Sequence, residues 1–163
     1  MHVDKQSIVI LHELLFSRGV AALATLHEGR PFASMVPFAI ATVGGDLRLV
    51  THVSGLATHT RDMRSAPDVC LMVTAPESAD VPPQALPRVS IAGHARFVSA
   101  DDPTHAALKA AYLEKFPEAV DLFQFADFSL VAIEPTSARL VAGFARAMTL
   151  SAETLAASVT SNA

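Results

Sequence analysis

Apolar residues recur at two periods along this chain, and the change of period divides it. Ile8, Leu11 and Leu15, with Leu14 beside them, repeat at helical spacing and predict an amphipathic helix over residues 5–17, stopped by Gly19. Short apolar runs then alternate with turn signals. Residues 20–26 precede Glu28-Gly29, residues 32–41 follow it, and Gly44-Gly45-Asp46 leads into a run over 47–51; these predict three strands. Pro37 removes a ladder donor from the second, which marks an edge, a bulge or an opening in the sheet. A helix is expected from Ser54, as N-cap, to about Arg64, ended by Pro67. Residues 69–74 lack polar alternation and read as a strand buried on both faces.

The proline-rich stretch 75–87 reads as an irregular loop, and 88–99 as a long strand with a bulge at Gly93. Asp102-Pro103 opens a helix reaching about Phe116, and Pro117 starts another short helical turn. Residues 128–134 and 138–144 read as two strands split at Pro135. The small and polar residues from Ser151 read as a frayed helix or a disordered tail. Strand runs with few helices between them favour a closed antiparallel barrel over a parallel α/β sheet, giving a mainly β (α+β) domain with flanking helices. Neither a repeat nor a linker divides it, so one domain is expected over 1–150, followed by a tail over 151–163.

Composition changes this picture in three ways. The 163 residues are 51% hydrophobic with a mean hydropathy of +0.37, more apolar than a lone small domain needs, which points to a buried subunit interface. A net charge of -4 excludes the clustered Lys and Arg of a nucleic-acid footprint. A single cysteine, Cys70, excludes an internal disulfide and fits a reducing cytosol; it lies in the run Val69-Cys70-Leu71-Met72-Val73 and reads as a buried, inert thiol. The first turns carry Asp4, Lys5, His12 and Glu13, which is not a signal-peptide pattern, and no apolar run reaches the length of a membrane span. A cytoplasmic protein is expected.

His2, His12, His27, His52, His59, His94 and His105 include no pair at i, i+4 and have one cysteine among them, so no metal site is expected. A G-x-S-x-G nucleophile elbow and the nucleotide-binding glycine loops are absent. The stretch most able to bind an anion runs from Leu49 to Arg61. A strand passing through a small turn into a helix aims that helix's N–H groups and positive dipole end at one spot. Thr51, Ser54, Thr58, His59, Thr60 and Arg61 supply hydroxyls, rings and a cation there; the alternative is an ordinary helix start. Ser34-Met35-Val36-Pro37 offers main-chain groups where Pro37 interrupts the ladder, and Arg88 opens the fifth strand as a further cation.

Three segments carry a resemblance to a known family: residues 19–26, residues 33–39 around Ser34-Met35-Val36-Pro37, and the block Leu56-Ala57-Thr58-His59-Thr60-Arg61. They resemble the pyridoxamine 5'-phosphate oxidase-related FMN-binding split-barrel superfamily, and more narrowly its haem-utilisation branch. Residues 88–93 and the late segments Phe128-Ser129-Leu130 and 141–147 fit that branch too. The resemblance implies a six-stranded antiparallel split barrel that forms a homodimer with FMN at the subunit interface. Carried onto this chain, Ser34, Met35, Val36 and Pro37 line the isoalloxazine, Thr51 and His52 lie along the flavin, Thr58, His59 and Thr60 approach the phosphate, and Arg88 faces the flavin. The true oxidases carry Arg and Lys where this chain has Ser34 and Ala39, and a tryptophan-containing substrate segment; this chain has no tryptophan, so pyridoxamine phosphate oxidation is not expected. The expected function is that of an FMN-dependent oxidoreductase acting on a small molecule. The alternatives are a haem-binding module using His27, His94 or His105, and a flavin-binding sensor without turnover.

Overall fold

The computed structural model describes residues 3–161; His2 and the last two residues of the expected tail lie outside the described residues. Helix α1 (Lys5–His12) starts at Asp4, whose carboxylate accepts the Ser7 N–H at 3.1 Å and its hydroxyl at 2.7 Å. It runs on into a π-helical turn, Glu13–Ser17. Two hairpins follow: β1 (Val20–His27) with β2 (Arg30–Pro37), and β3 (Ala39–Val43) with β4 (Asp46–Ser54). The run expected as one strand over 32–41 is therefore two. Pro37 has no N–H to give, and the next N–H, of Phe38, turns away to the Gly19 carbonyl at 3.2 Å.

Helix α2 (Thr58–Ser65) leads to β5 (Asp68–Thr74) and then, past a loop, to β6 (Arg88–Val98). Helix α3 (His105–Lys115), a 3-10 segment (Pro117–Gln124), β7 (Phe128–Val141), β8 (Ala147–Ser151) and α4 (Ala152–Thr160) complete the chain. The strands pair antiparallel in the order β2-β1-β5-β6-β7-β4-β3, with β8 added to β7. The end strands β2 and β3 are consecutive in sequence, so the sheet curls on itself and stays open at that seam. Thr51 Oγ1 crosses the seam to the Pro37 carbonyl at 2.8 Å. This is a split barrel.

Five local expectations are corrected. β7 passes unbroken through Pro135, because Gly93 pairs with Pro135 and Ala92 with Ser137, leaving Thr136 as the extra residue of a bulge. A Cβ at Gly93 would lie 2.7 Å from the Glu134 carbonyl oxygen, so glycine is what lets the strands meet there. β5 alternates, with Leu71 and Val73 inside and Met72 outside; its outer apolar residues belong to an uncovered face. Cys70 is only half-buried, though burial still pushes its thiol pKa up. Helix α3 begins at His105, after Asp102 has taken the Thr104 N–H at 2.8 Å and Arg96 at 2.6 Å. The residues after Ser151 form a docked helix, because Ser151 Oγ accepts the Thr154 N–H at 3.2 Å and Leu155 and Val159 enter the core.

The main core fills the barrel with Leu23, Val36, Leu49, Leu71, Ile91 and Ile133, closed at one end by Met63 of α2. A second cluster lies beneath α3, where Leu108 and Tyr112 cover Val50, Leu130 and Ala132. Among the described residues no helix is long and apolar enough to cross a membrane.

Candidate functional site

The strand-to-helix stretch forms, but its turn is longer than the sequence implies. β4 runs on to Ser54, and α2 begins only at Thr58 with Ala57 as its cap residue. Ser54 is thus a strand end rather than an N-cap. Its hydroxyl donates to Asp127 at 3.0 Å and accepts the Leu56 N–H at 3.2 Å. Gly55 N–H donates to the Asp127 carbonyl at 2.6 Å, and a Cβ on Gly55 would stand 3.0 Å from that same oxygen. Because Ser54 is outside the helix, it shares no helical face with Thr58 and Arg61.

From this anchor α2 crosses the open end of the barrel. Thr60 is buried and donates to the Ser54 carbonyl at 2.7 Å. His59 is half-buried and reaches Ser34 of β2, with Nδ1 and Oγ 3.1 Å apart. Burial pushes the His59 pKa down against the opposing pull of Asp62, which favours a neutral ring at pH 7. Ser34, Pro37, Thr51, His59 and Thr60 therefore gather at the seam between β2 and β4. Within that group Thr51 and Thr60 are buried, as is neighbouring Val36, and they brace the site. Met35 points the other way, 63% exposed on the outer face of the sheet. Thr58 is half-buried at the start of α2, and Arg61 is exposed on it.

Two expected residues lie elsewhere. His52 points from the opposite side of β4 to Thr51 and stacks on Phe123, beneath α3. Arg88 opens β6 and donates to the Leu86 carbonyl at 2.9 Å and the Gln84 carbonyl at 3.3 Å. The α2 residue Arg64 lies over Phe97, nine residues further along that strand, a span of about 30 Å.

The same helix carries a constellation the sequence reading did not assemble. Asp62, 4% exposed, accepts from Thr25 Oγ1 at 2.9 Å and from His27 Nδ1 at 2.8 Å. Burial alone would raise its pKa, but the bonds from His27 and Thr25 and the charge of Arg61 outweigh it and hold the carboxyl below its ordinary value. An ionised carboxylate only accepts, so the proton between the two sits on Nδ1 of His27, and in the neutral form of the ring that places the lone pair on Nε2. The sequence held one signal of this. Thr25 falls on the inward phase of β1 with Ala21 and Leu23, and a hydroxyl there needs a buried partner.

Residues 11–142 match the model of the pyridoxamine 5'-phosphate oxidase family. The chain belongs to that family. Among curated proteins it is similar to the chloroplastic haem oxygenase HOZ of Arabidopsis thaliana, at 37% identity over 78% of this chain and 36% of the relative. A haem-binding protein from Mycobacterium smegmatis superposes with a TM-score of 0.81 at 32% identity, covering 96% of this chain and 62% of the other. HutZ, the haem storage protein of Vibrio cholerae, superposes with a TM-score of 0.67 at 26% identity, over 83% of this chain and 91% of its own. The chain thus spans about a third of the plant relative's length and under two thirds of the mycobacterial one. Within the oxidase family it sits beside haem proteins, as its strand and helix motifs suggested.

Proposed function

We propose that this member of the oxidase family binds haem, with His27 as the ligand to iron. The observation that carries the reading is the Thr25–Asp62–His27 chain of hydrogen bonds. A ligating imidazole commonly gives its other N–H to a carboxylate, which fixes the tautomer and strengthens the donor nitrogen. His27 has that arrangement with its partner buried and held a second time by Thr25. His94 also pairs with a carboxylate, Asp68 at 3.0 Å, but both side chains stand exposed. His105 makes no such pair among the described residues. The haem proteins among the relatives support the ligand class. Titration of the full chain with haemin is expected to give a saturable Soret band that His27→Ala abolishes or shifts, with added imidazole restoring it. A Soret band identical in wild type and His27→Ala overturns the assignment.

FMN remains a second reading, favoured by the Ser34–His59 contact that joins β2 to the start of α2. Thr58 and His59 would meet the phosphate with neutral donors, and Arg61 would add charge while Arg64 of the same helix is turned to Phe97; that is a weak cradle, since charge-assisted contacts are the strong ones. Unquenched flavin fluorescence on titration rules it out. Binding without NAD(P)H consumption fits a sensor, and consumption fits an oxidoreductase. Either ligand would sit in a homodimer. The outward residues Val20, Leu26, Met35 and Met72 make an uncovered apolar sheet face, of the kind that a second copy buries. A reducing, cytoplasmic setting suits the one half-buried thiol.

A further inference from the structure

On the far side of β4 from the barrel core, a cleft of about 610 Å³ opens between α3, the 3-10 segment and the ends of β6 and β7. Its floor is aromatic. His52 stacks on Phe123 with ring centroids 3.8 Å apart and planes 7° from parallel, and Phe128 leans on the same ring at 5.2 Å. Phe125 stands at the mouth, 55% exposed. The rim is cationic. Lys109 Nζ lies 4.7 Å above the Phe123 ring, and the Arg64 guanidinium lies 4.0 Å above Phe97 while reaching Ser129 Oγ at 3.3 Å. His105 lines the same wall, and no carboxylate does, in a chain whose net charge is -4.

His52 adds a second, independent observation. The residue is 7% exposed, and its Nδ1 is enclosed without a hydrogen-bond partner. A buried polar atom left unpaired is costly and is uncommon in folded chains. Here it lies in the floor of a cleft large enough for a small ligand. A flat aromatic floor, a cationic rim and the lack of a competing carboxylate together specify a ligand with a planar face and a negative edge.

We propose that this cleft binds a small planar aromatic carboxylate, its ring against Phe125 and Phe128, which leans on His52, and its negative group toward Lys109, Arg64 and His105. A bare phosphate would use the cations but leave the aromatic floor uncovered. A neutral apolar ligand would use the floor and leave the cations unanswered. The site is separate from His27 and from the Ser34–His59 seam, so it stands whether the seam takes haem, flavin or neither.

Titration of the full-length chain with 2-naphthoate, followed by the histidine-ring resonances in NMR spectra, tests it. Saturable shifts are expected at His52 and His105. Lys109→Glu and Arg64→Glu are each expected to weaken binding about tenfold or more, and so is replacing the carboxylate with a hydroxyl in 2-naphthol. Both substitutions lie on the rim, and an unchanged urea midpoint confirms that each variant folds; Lys109→Gln serves if the charge reversal does not. Equal affinity for 2-naphthoate and 2-naphthol overturns the proposal, as do unmoved His52 resonances at saturation or full affinity in the charge variants. Haemin binding by Lys109→Glu is expected to match wild type, which separates this site from the His27 reading.

Discussion

His52 ties folding to pH through one enclosed imidazole. Burial first, then the charges of Lys109 and His105, push its pKa down to about 4 from an ordinary 6.5. The folded ring resists the proton that the unfolded ring accepts. The contribution is therefore complete above pH 6.5 and is lost as pH falls toward 4, by at most on the order of 3 kcal/mol. His59, lowered by burial against Asp62, acts in the same direction. Asp4 and Asp102, both held down to about 2, lose their contributions only at lower pH. Urea melts of wild type and His52→Gln between pH 7 and 4.5 are expected to show a steep fall that the variant flattens; parallel curves would refute it. Single residues also show what a sequence can carry. Gly93 was legible as a bulge because a glycine inside an apolar strand has few other uses. Pro135 misled, because the bulge that tolerates it is assembled from a partner strand some forty positions away. Thr25 and Asp62 were each visible, but nothing in the linear order says that β1 and α2 meet.

Elements are held in place here by polar groups reaching between them as well as by the core. Lys115, the last residue of α3, sends its ammonium to the carbonyls of Leu15 and Arg18 at 3.2 and 2.6 Å and lies 4.2 Å above the Phe38 ring. It thereby closes the C-terminal end of the π-helical turn. Burial pushes its pKa down to about 8, yet the contacts are those of an ammonium donor. Lys115→Met keeps the stem and removes those donors, and is expected to destabilise the fold by about 1–3 kcal/mol, read as a lower urea midpoint at unchanged slope. Helix existence followed well from periodicity for α1 and from the Asp-Pro start signal for α3. Starting points did not, because Ser54 and Asp102 carry capping chemistry but use it on Asp127, Thr104 and Arg96. Helix α4 was legible only as a frayed helix or a tail, because Leu155 and Val159, which dock it in the core, are the two large apolar residues in an otherwise small and polar segment.

For the whole molecule, the outer face of β1, β2 and β5 is the feature a single chain leaves unresolved. Val20, Leu26, Met35 and Met72 lie there together, exposed, and a soluble monomer rarely keeps such a patch bare. Sedimentation of the wild type is expected to give a dimer, and Met35→Glu, which buries a charge at its centre, a monomer with an unchanged fold. A monomeric wild type would remove this face from the argument. Local patterns already favoured a closed antiparallel barrel, and the family resemblance added that the barrel is split. The strand order has a further consequence, for the chain as it leaves the ribosome. β1 pairs with β5, and β6 and β4 both pair with β7, so β7 joins the two halves of the sheet and is among the last strands made. Until residues 128–141 emerge, the β3–β4 hairpin waits with one edge of β4 unpaired, beside a β1-β2-β5-β6 sheet it has no strand to join. Such edges recruit other chains, so from the making of β4 until β7 emerges the growing chain carries an open strand edge that needs shielding.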